Sequence, residues 1–284
     1  MPAFYNQATL TYNNQTTMSN IVTGELVEVL SAAKTAVSPF YRAGDQVTYA
    51  ISIVNSGSTA YNGLTVTDDL GAYPFGTGVL VPLDYAEGSV RLFVNGVLQP
   101  APIVTDTQPL TITGISVPAG GNAVLLYTAQ VNSFAPLPFG SVISNSAVIT
   151  GPGLSAPIVV TDTLPADPTA ALGIIKAINP VNVVENEPFT YTFTIQNTAT
   201  TPAVANDNVT VTDTFDPIID IQSVTLNGVP LAEGTGYTYD AATGSFSTVP
   251  SVITVPGATI QQDPITGLWL VTPGTAVLTV TGVI

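Results

Sequence analysis

The same pattern of residues occurs twice in this sequence, and this repetition limits the chain to folds built from two similar units. From Lys34 the chain reads K-T-A-V-S-P, then G-D-Q-V-T-Y-A-I-S-I-V-N and L-T-V-T-D-D-L. From Lys176 it reads K-A-I-N-P-V, then N-E-P-F-T-Y-T-F-T-I-Q-N and V-T-V-T-D-T-F. Further on, V-R-L-F-V-N-G-V-L matches S-V-T-L-N-G-V-P-L in the same order. The chain therefore consists of two repeats of one structural unit.

Each repeat has the residue pattern of short β-strands. Val, Thr, Ile and Tyr alternate in runs such as Val47 to Val54 and Thr190 to Gln196, bounded by Gly, Pro, Asn and Asp. No window shows the 3.6-residue apolar period of a helix. The sequence predicts an all-β fold: two tandem immunoglobulin-like β-sandwich domains at residues 27–165 and 170–284, plus an N-terminal donor β-hairpin at 1–26.

The second repeat stops before its last hairpin. The first repeat continues past Val131 into G-S-V-I-S-N-S-A-V-I-T-G-P-G-L-S-A-P-I-V-V-T, whereas the second ends at Ile284. A match to the missing piece lies at the N-terminus, where Asn6 corresponds to Asn145 and I-V-T at 21–23 corresponds to V-V-T at 159–161. We interpret the chain as a circular permutation of two complete repeats.

A sandwich without its last hairpin exposes a sheet edge, which is a template for another chain. About ten residues join the hairpin to Lys34, and they span at most ~35 Å, too little to reach the far end of the second domain. We expect the hairpin to complete the second domain of a neighbouring subunit, with Ala8, Leu10, Tyr12 and Ile21 entering its core. The alternatives are a hairpin that covers the first domain and a disordered arm.

At these residues the sequence resembles a known family. The pattern K…G-D-x-V-T-Y-x-I-x-x-x-N…V-T-V-T-D…N-x-A is similar to the conserved repeat of bacterial surface proteins called domain of unknown function eleven. The resemblance covers both repeats and the hairpin. It implies immunoglobulin-like domains in tandem on a cell surface, and it implies an architecture but no chemistry.

Three polar residue types should point into each sandwich core. Lysine occurs only at Lys34 and Lys176, at the same position of the two repeats. Strand alternation puts Asp68 and Asp213 on the faces of their apolar neighbours. The same argument places Asn145 with Ala147 and Ile149, and Asn6 with Ala8 and Leu10. The predicted sets are Lys34, Asp68 and Asn145 in domain one, and Lys176 and Asp213 with Asn6 of a neighbour in domain two.

Two interpretations of these sets are open. One is a buried lysine–aspartate ion pair with the asparagine hydrogen-bonded to it, since buried charges must be paired. The other is an isopeptide bond, in which desolvation yields a neutral amine that attacks the asparagine amide while a protonated aspartate polarises its carbonyl. Asn55 and Asn197 are rival asparagines, but their places at strand ends favour a role in turns.

Composition excludes catalysis by Ser-His-Asp or Cys-His arrangements and argues against an enzyme. The chain has no histidine, which removes the commonest general base and metal ligand, and no cysteine, which removes disulfides and thiolate sites. With a net charge of −15, nucleic acid and anionic membranes are unlikely partners, and no apolar stretch is long enough to insert into a membrane. We predict no enzymatic activity, no cofactor and no metal.

The sequence therefore predicts a structural subunit of an extracellular bacterial filament on a cell or spore surface. Its partner is itself, as a head-to-tail homopolymer joined by strand complementation. The alternative is a monomeric cell-surface adhesin or surface-layer module that binds an unidentified host or matrix ligand. The N-terminal segment has no signal-peptide pattern, so the export route stays open.

Overall fold

The N-terminal segment forms a two-stranded ribbon. A computed structural model describes residues 3–25 and 27–284, so Met1, Pro2 and Leu26 of the predicted 1–26 hairpin lie outside the described residues. The strands of the ribbon are β1 Ala3–Asn6, β2 Thr9–Tyr12, β3 Gln15–Met18 and β4 Val22–Glu25. β1 pairs with β4 and β2 with β3, both antiparallel. Asn13 and Asn14 form the turn, with the φ of 45° and 62° that two-residue hairpins favour.

All residues from Ala3 to Thr23 are exposed to solvent. Their exposed side chains include large apolar ones, among them Phe4, Tyr5, Leu10 and Tyr12. Within the described residues the ribbon therefore packs on no other part of the chain, and a two-stranded ribbon on its own is marginally stable in water.

Domain one follows as a complete sandwich. Its strands are β5 Leu30–Ala36, β6 Gln46–Asn55, β7 Tyr61–Asp68, β8 Tyr73–Phe75, β9 Gly78–Leu80, β10 Leu83–Tyr85, β11 Arg91–Val94, β12 Val97–Leu98, β13 Ile103–Thr107, β14 Leu110–Val117, β15 Asn122–Val131, β16 Val142–Thr150 and β17 Ile158–Pro165. One sheet has the order β12-β11-β15-β6-β5, and the other has the order β13-β14-β7-β16-β17. The all-β prediction is confirmed.

Alternation along the strands builds the core of domain one. In β6, Val47, Tyr49, Ile51 and Ile53 are buried while their neighbours face outward. In β7, Leu64 and Val66 face them from the other sheet. The Thr residues between these positions form the outer faces, which explains how a chain with 8% charged residues keeps a polar surface.

Domain two has one full sheet and only part of the second. Its strands are β18 Leu172–Asn179, β19 Phe189–Asn197, β20 Thr212–Thr214, β21 Asp220–Leu226, β22 Val229–Pro230, β23 Tyr237–Asp240, β24 Ser245–Thr248, β25 Thr259–Gln262, β26 Trp269–Thr272 and β27 Gly274–Val283, with a 3-10 turn at Ala205–Asp207. The full sheet has the order β18-β19-β27-β21-β22, and the partial sheet has the order β20-β24-β23.

The two domains contact each other directly. In the β25–β26 hairpin, the backbone N–H of Trp269 donates to the Ser133 carbonyl at 3.0 Å, and Gln262 donates to the Tyr73 hydroxyl at 3.1 Å. At the linker, the guanidinium of Arg42 bonds the Asp167 carboxylate at 3.0 Å. These bonds join domain two to domain one at more than one point. None of the described residues lies in a helix with the length and apolarity needed to cross a membrane.

Candidate functional site

In domain one a lysine and an aspartate meet inside the core. Lys34 lies on β5 at the edge of one sheet, and Asp68 is the last residue of β7 in the other sheet. Their Nζ and Oδ2 atoms are 2.7 Å apart, and both side chains are 0% exposed. The Nζ also lies 4.9 Å from the centre of the Tyr49 ring, where the face of an aromatic ring attracts a cation. The pair therefore links the two sheets across the core.

Two further polar side chains extend this pair. Tyr127, on β15, donates its hydroxyl hydrogen to Asp68 Oδ2 at 2.7 Å. Asn145, on β16, donates from Nδ2 to the Tyr127 hydroxyl at 3.0 Å. Asp68 also accepts the backbone N–H of Leu70 at 3.0 Å. The structure thus brings together the predicted Lys34, Asp68 and Asn145, with Tyr127 between the carboxyl and the amide.

Burial acts on both charged groups in opposite directions. It lowers the pKa of Lys34 from the ordinary lysine value, although the neighbouring Asp68 carboxylate opposes this shift. Burial also raises the pKa of Asp68, against the opposing charge of Lys34. Both shifts favour transfer of a proton from the ammonium to the carboxylate, because the neutral forms carry no desolvation penalty.

Domain two contains the equivalent ion pair, but there the pair is partly exposed to solvent. Lys176 on β18 is paired with Asp213 on β20, but their side chains are 42% and 18% exposed. The Nζ of Lys176 lies 4.4 Å from the ring centre of Tyr191, which matches Tyr49 in the repeat. The same residues that are sealed in domain one are therefore open to water in domain two.

The uncovered region continues along β18. In domain one the inward positions of β5 are Leu30, Ala32 and Lys34. They face β17, and the Asp162 carboxylate of β17 accepts the backbone N–H of Ala36 at 3.0 Å. In domain two the corresponding inward residues Leu172 and Ile174 are 41% and 56% exposed. No strand within residues 3–25 and 27–284 takes the place of β17 here.

The partial sheet of domain two ends in an open edge. In domain one β7 lies between β14 and β16, and Ala147 of β16 stands opposite Asp68. In domain two the matching strand β20 pairs with β24 on one side, and no described strand pairs with its other side. The vacant positions correspond to β16 and β17, the hairpin that the N-terminal segment matches in sequence.

The predicted donor residues are all at the surface. Asn6, Ala8, Leu10, Tyr12 and Ile21 are exposed, and the structure does not bring Asn6 together with the Lys176–Asp213 pair of its own chain.

The ribbon pairing bears on which donor residue shares a face with Asn6. Ile21 matches Val159, which is 63% exposed, whereas Val22 matches Val160, which is buried opposite Ala147. Val22 also stands opposite Asn6 in the ribbon. Because opposite residues share a face, Val22 lies on the face of Asn6, while the entry of Ile21 into a neighbour's core stays a prediction.

The rival asparagines hold loops. Asn55 donates to the Thr59 carbonyl at 2.8 Å, and Asn197 donates to the Thr201 carbonyl at 2.7 Å. Both are buried at the ends of matching strands. The sequence analysis missed Tyr127, because its place in an alternating apolar run indicates only core packing. One signal was available: the matching residue of the second repeat is Val280, so the two repeats differ at this core position.

Within the described part of the chain, no group of three or more acidic side chains is arranged to hold a metal ion. No protein-family model matches the sequence, and no curated protein matches it.

A comparison with solved structures found matches at low similarity. The major pilin subunit BcpA of Bacillus cereus has 14% sequence identity and a TM-score of 0.36, with 95% of this chain and 73% of that chain covered. The pilus backbone protein RrgB of Streptococcus pneumoniae has 13% identity and a TM-score of 0.34, covering 86% of this chain and 55% of that one. A family 123 glycoside hydrolase of Clostridium perfringens has 10% identity and a TM-score of 0.32, covering 49% of this chain and 27% of that one.

Proposed function

We propose that this protein is the structural subunit of an extracellular filament. In the filament, the N-terminal ribbon of one subunit occupies the open edge of domain two in the next subunit. Each subunit then carries one donor and one acceptor on different surfaces, and such a heterologous contact propagates into a linear polymer. A cell or spore surface is the expected location, and membership of the conserved surface-repeat family stays a prediction.

The observation that carries this proposal is the difference between the two lysine–aspartate pairs. Lys34 and Asp68 are fully enclosed, whereas the equivalent Lys176 is 42% exposed. In domain one, strand β16 of the β16–β17 hairpin pairs directly with the strand that carries Asp68, and among the described residues domain two has no equivalent of this hairpin. The segment that matches this hairpin in sequence is the exposed ribbon, so a second copy of the chain supplies what domain two lacks.

The strand pairing of domain one supports one register for the proposed joint. There Val148 stands opposite Thr67. By the repeat correspondence, Thr9 of the donor stands opposite Thr212 of the acceptor. Asn6 then occupies the place of Asn145, next to the acceptor's Lys176.

In the proposed joint, the components of a covalent bond would lie together. The neutral amine of Lys176 attacks Cγ of the donor Asn6, the Cγ–Nδ2 bond breaks, and ammonia leaves. The same reaction within domain one joins Lys34 to Asn145. Each bond removes one ammonia, about 17 Da, from the mass of the chain or polymer.

Disulfide trapping tests the joint, because the chain contains no cysteine and any disulfide must involve introduced residues. We expect the double variant Thr9→Cys/Thr212→Cys to give a ladder of disulfide-linked oligomers under mild oxidation. Opposite residues in a hydrogen-bonded antiparallel pair have Cα atoms ~5.5 Å apart, which lies within disulfide geometry.

The matched control is Thr9→Cys/Thr210→Cys, which moves one cysteine two residues toward the N-terminus, before the first residue of the acceptor strand β20. It should cross-link far more weakly. Equal ladders from both variants would show that the donor is not held in this register. Filaments that persist after residues 1–25 are removed, as seen by negative-stain microscopy, would refute strand complementation altogether.

A further inference from the structure

We infer that the Tyr127 hydroxyl is a catalytic group of the isopeptide reaction in domain one, where it passes a proton from the attacking amine to the departing ammonia. This inference rests on the proposed bond between Lys34 and Asn145. It assigns a role to a residue that the sequence places among ordinary core aromatics.

Two oxygen atoms connect the two nitrogens of the reaction through a continuous chain of hydrogen bonds. Lys34 Nζ lies 2.7 Å from Asp68 Oδ2, and the same oxygen lies 2.7 Å from the Tyr127 hydroxyl. The Tyr127 hydroxyl lies 3.0 Å from Asn145 Nδ2. The nucleophile is at one end and the leaving nitrogen is at the other. No bond joins Asp68 to Asn145 directly, so the carboxyl reaches the amide through the tyrosine.

The proton balance closes along this path. Lys34 first gives one proton to Asp68 and becomes a neutral amine, and its lone pair attacks Asn145 Cγ. In the tetrahedral intermediate Nζ must lose one proton and Nδ2 must gain one. Tyr127 gives its hydroxyl proton to Nδ2 and takes the proton held by Asp68, which in turn receives the one from Nζ. The Cγ–Nδ2 bond breaks and ammonia leaves. Tyr127 ends with its hydroxyl proton restored. Asp68, which began as a carboxylate, still holds the extra proton from the Lys34 ammonium, and it returns to a carboxylate when the departing ammonia takes that proton away as ammonium.

The environment suits a relay. Tyr127 is fully buried, and burial next to the Asp68 carboxylate raises the pKa of its hydroxyl well above the usual value. The hydroxyl therefore keeps its proton at rest and can both donate and accept. The Asn145 Oδ1 atom has no hydrogen-bond partner among the described residues. If the amide turned by half a rotation, Oδ1 would meet the same hydroxyl, so Tyr127 contacts the reacting amide in both orientations.

Domain two lacks this group. Tyr127 stands opposite Tyr49 in domain one, and Val280 stands opposite Tyr191 at the matching position of domain two. A valine cannot transfer a proton. The bond within domain one should therefore form faster than the bond between subunits.

The test follows bond formation in the full chain during cell-free synthesis, by intact mass at successive times after a pulse. In the wild type we expect domain one to lose ammonia. General acid–base catalysis contributes typically 10²–10⁴-fold, so Tyr127→Phe should slow this step by about a hundredfold or more. The control is Tyr41→Phe, since Tyr41 is equally buried in the same core and donates to the Pro136 carbonyl, away from the reacting groups. It should react at the wild-type rate.

A fluorinated tyrosine at position 127 provides a second measurement that does not depend on removing the hydroxyl. It keeps the ring and the hydrogen bonds while it changes the acidity of the phenol, so a changed rate supports proton transfer. Equal rates for wild type, Tyr127→Phe and the fluorinated protein would overturn the relay but leave the isopeptide bond intact. Absence of any mass loss in the wild type would overturn both.

Discussion

Removing one aspartate should have very different costs in the two domains. Asp68→Ala leaves the Lys34 ammonium without its partner at a position that is 0% exposed, and it also removes the acceptor of Tyr127 and Leu70. Breaking a buried pair by removing one partner costs ~3–5 kcal/mol, because an uncompensated charge stays in the core. With a urea dependence of about 2 kcal/mol per M, the unfolding midpoint of domain one should fall by roughly 1.5–2.5 M.

The matched variant Asp213→Ala removes the same residue from the equivalent pair of domain two. Here Lys176 is 42% exposed and water solvates it when its partner is lost. Solvent-exposed pairs contribute ~0–1 kcal/mol, so the domain-two midpoint of the monomer should shift by about 0.5 M or less. These values count noncovalent contributions only, and a bond between Lys34 and Asn145 would increase the difference.

The assay is hydrogen exchange of the full chain in a urea series, read by mass spectrometry. Peptides from β6 (Gln46–Asn55) and β19 (Phe189–Asn197) report the two domains separately. Equal midpoint shifts in both domains would contradict the argument, because they would show that the difference in exposure has no energetic consequence. A shift of domain one below about 0.5 M would show that water reaches Lys34 in solution.

Three further predictions concern the joint and the linker. Leu10→Asp should prevent filaments in negative-stain images. It should not change the thermal unfolding of the monomer, because Leu10 is exposed in the free chain. Thr11→Asp, on the opposite face of the strand, is the control. Asn6→Ala should abolish boiling-resistant ladders on detergent gels while noncovalent filaments remain visible. Hydrogen bonds from Thr169 lower the pKa of Asp167 to about 2. The Asp167 carboxylate therefore contributes fully to stability above pH ~4, and this contribution is lost as the pH falls through 2. NMR titration of the carboxyl checks this.

Strand alternation is the reason that much of this structure could be predicted. A period of two assigns each residue of a strand to one face, so Lys34 and Asp68 could be placed in the core without coordinates. The repeat then transferred each assignment to Lys176 and Asp213.

Other features depend on contacts between strands, which a single sequence does not reveal. The hydroxyl of Tyr127 lies between Asp68 and Asn145 only because β15 and β16 belong to facing sheets. Strand pairing also determines that Val22 shares a face with Asn6 in the ribbon, which the sequence alone did not reveal. The β25–β26 hairpin bonds to domain one, and it has no counterpart in the first repeat from which to predict it.

Domain one also indicates what domain two becomes in the proposed filament. The ribbon exposes Leu10 and Tyr12 at 65% and 74%, and domain two exposes Leu172 and Ile174, so both partners carry apolar surface that water disfavours. Burying such surface gains ~25 cal/mol per Å², and the main chain of the ribbon gains hydrogen bonds at the edge of β20. As the ribbon covers β18, it also removes water from Lys176, whose charge then depends on Asp213 alone. In the proposed filament, the step that joins two subunits is therefore also the step that removes water from Lys176, so the proposed attack on Asn6 would occur only where a neighbour has docked.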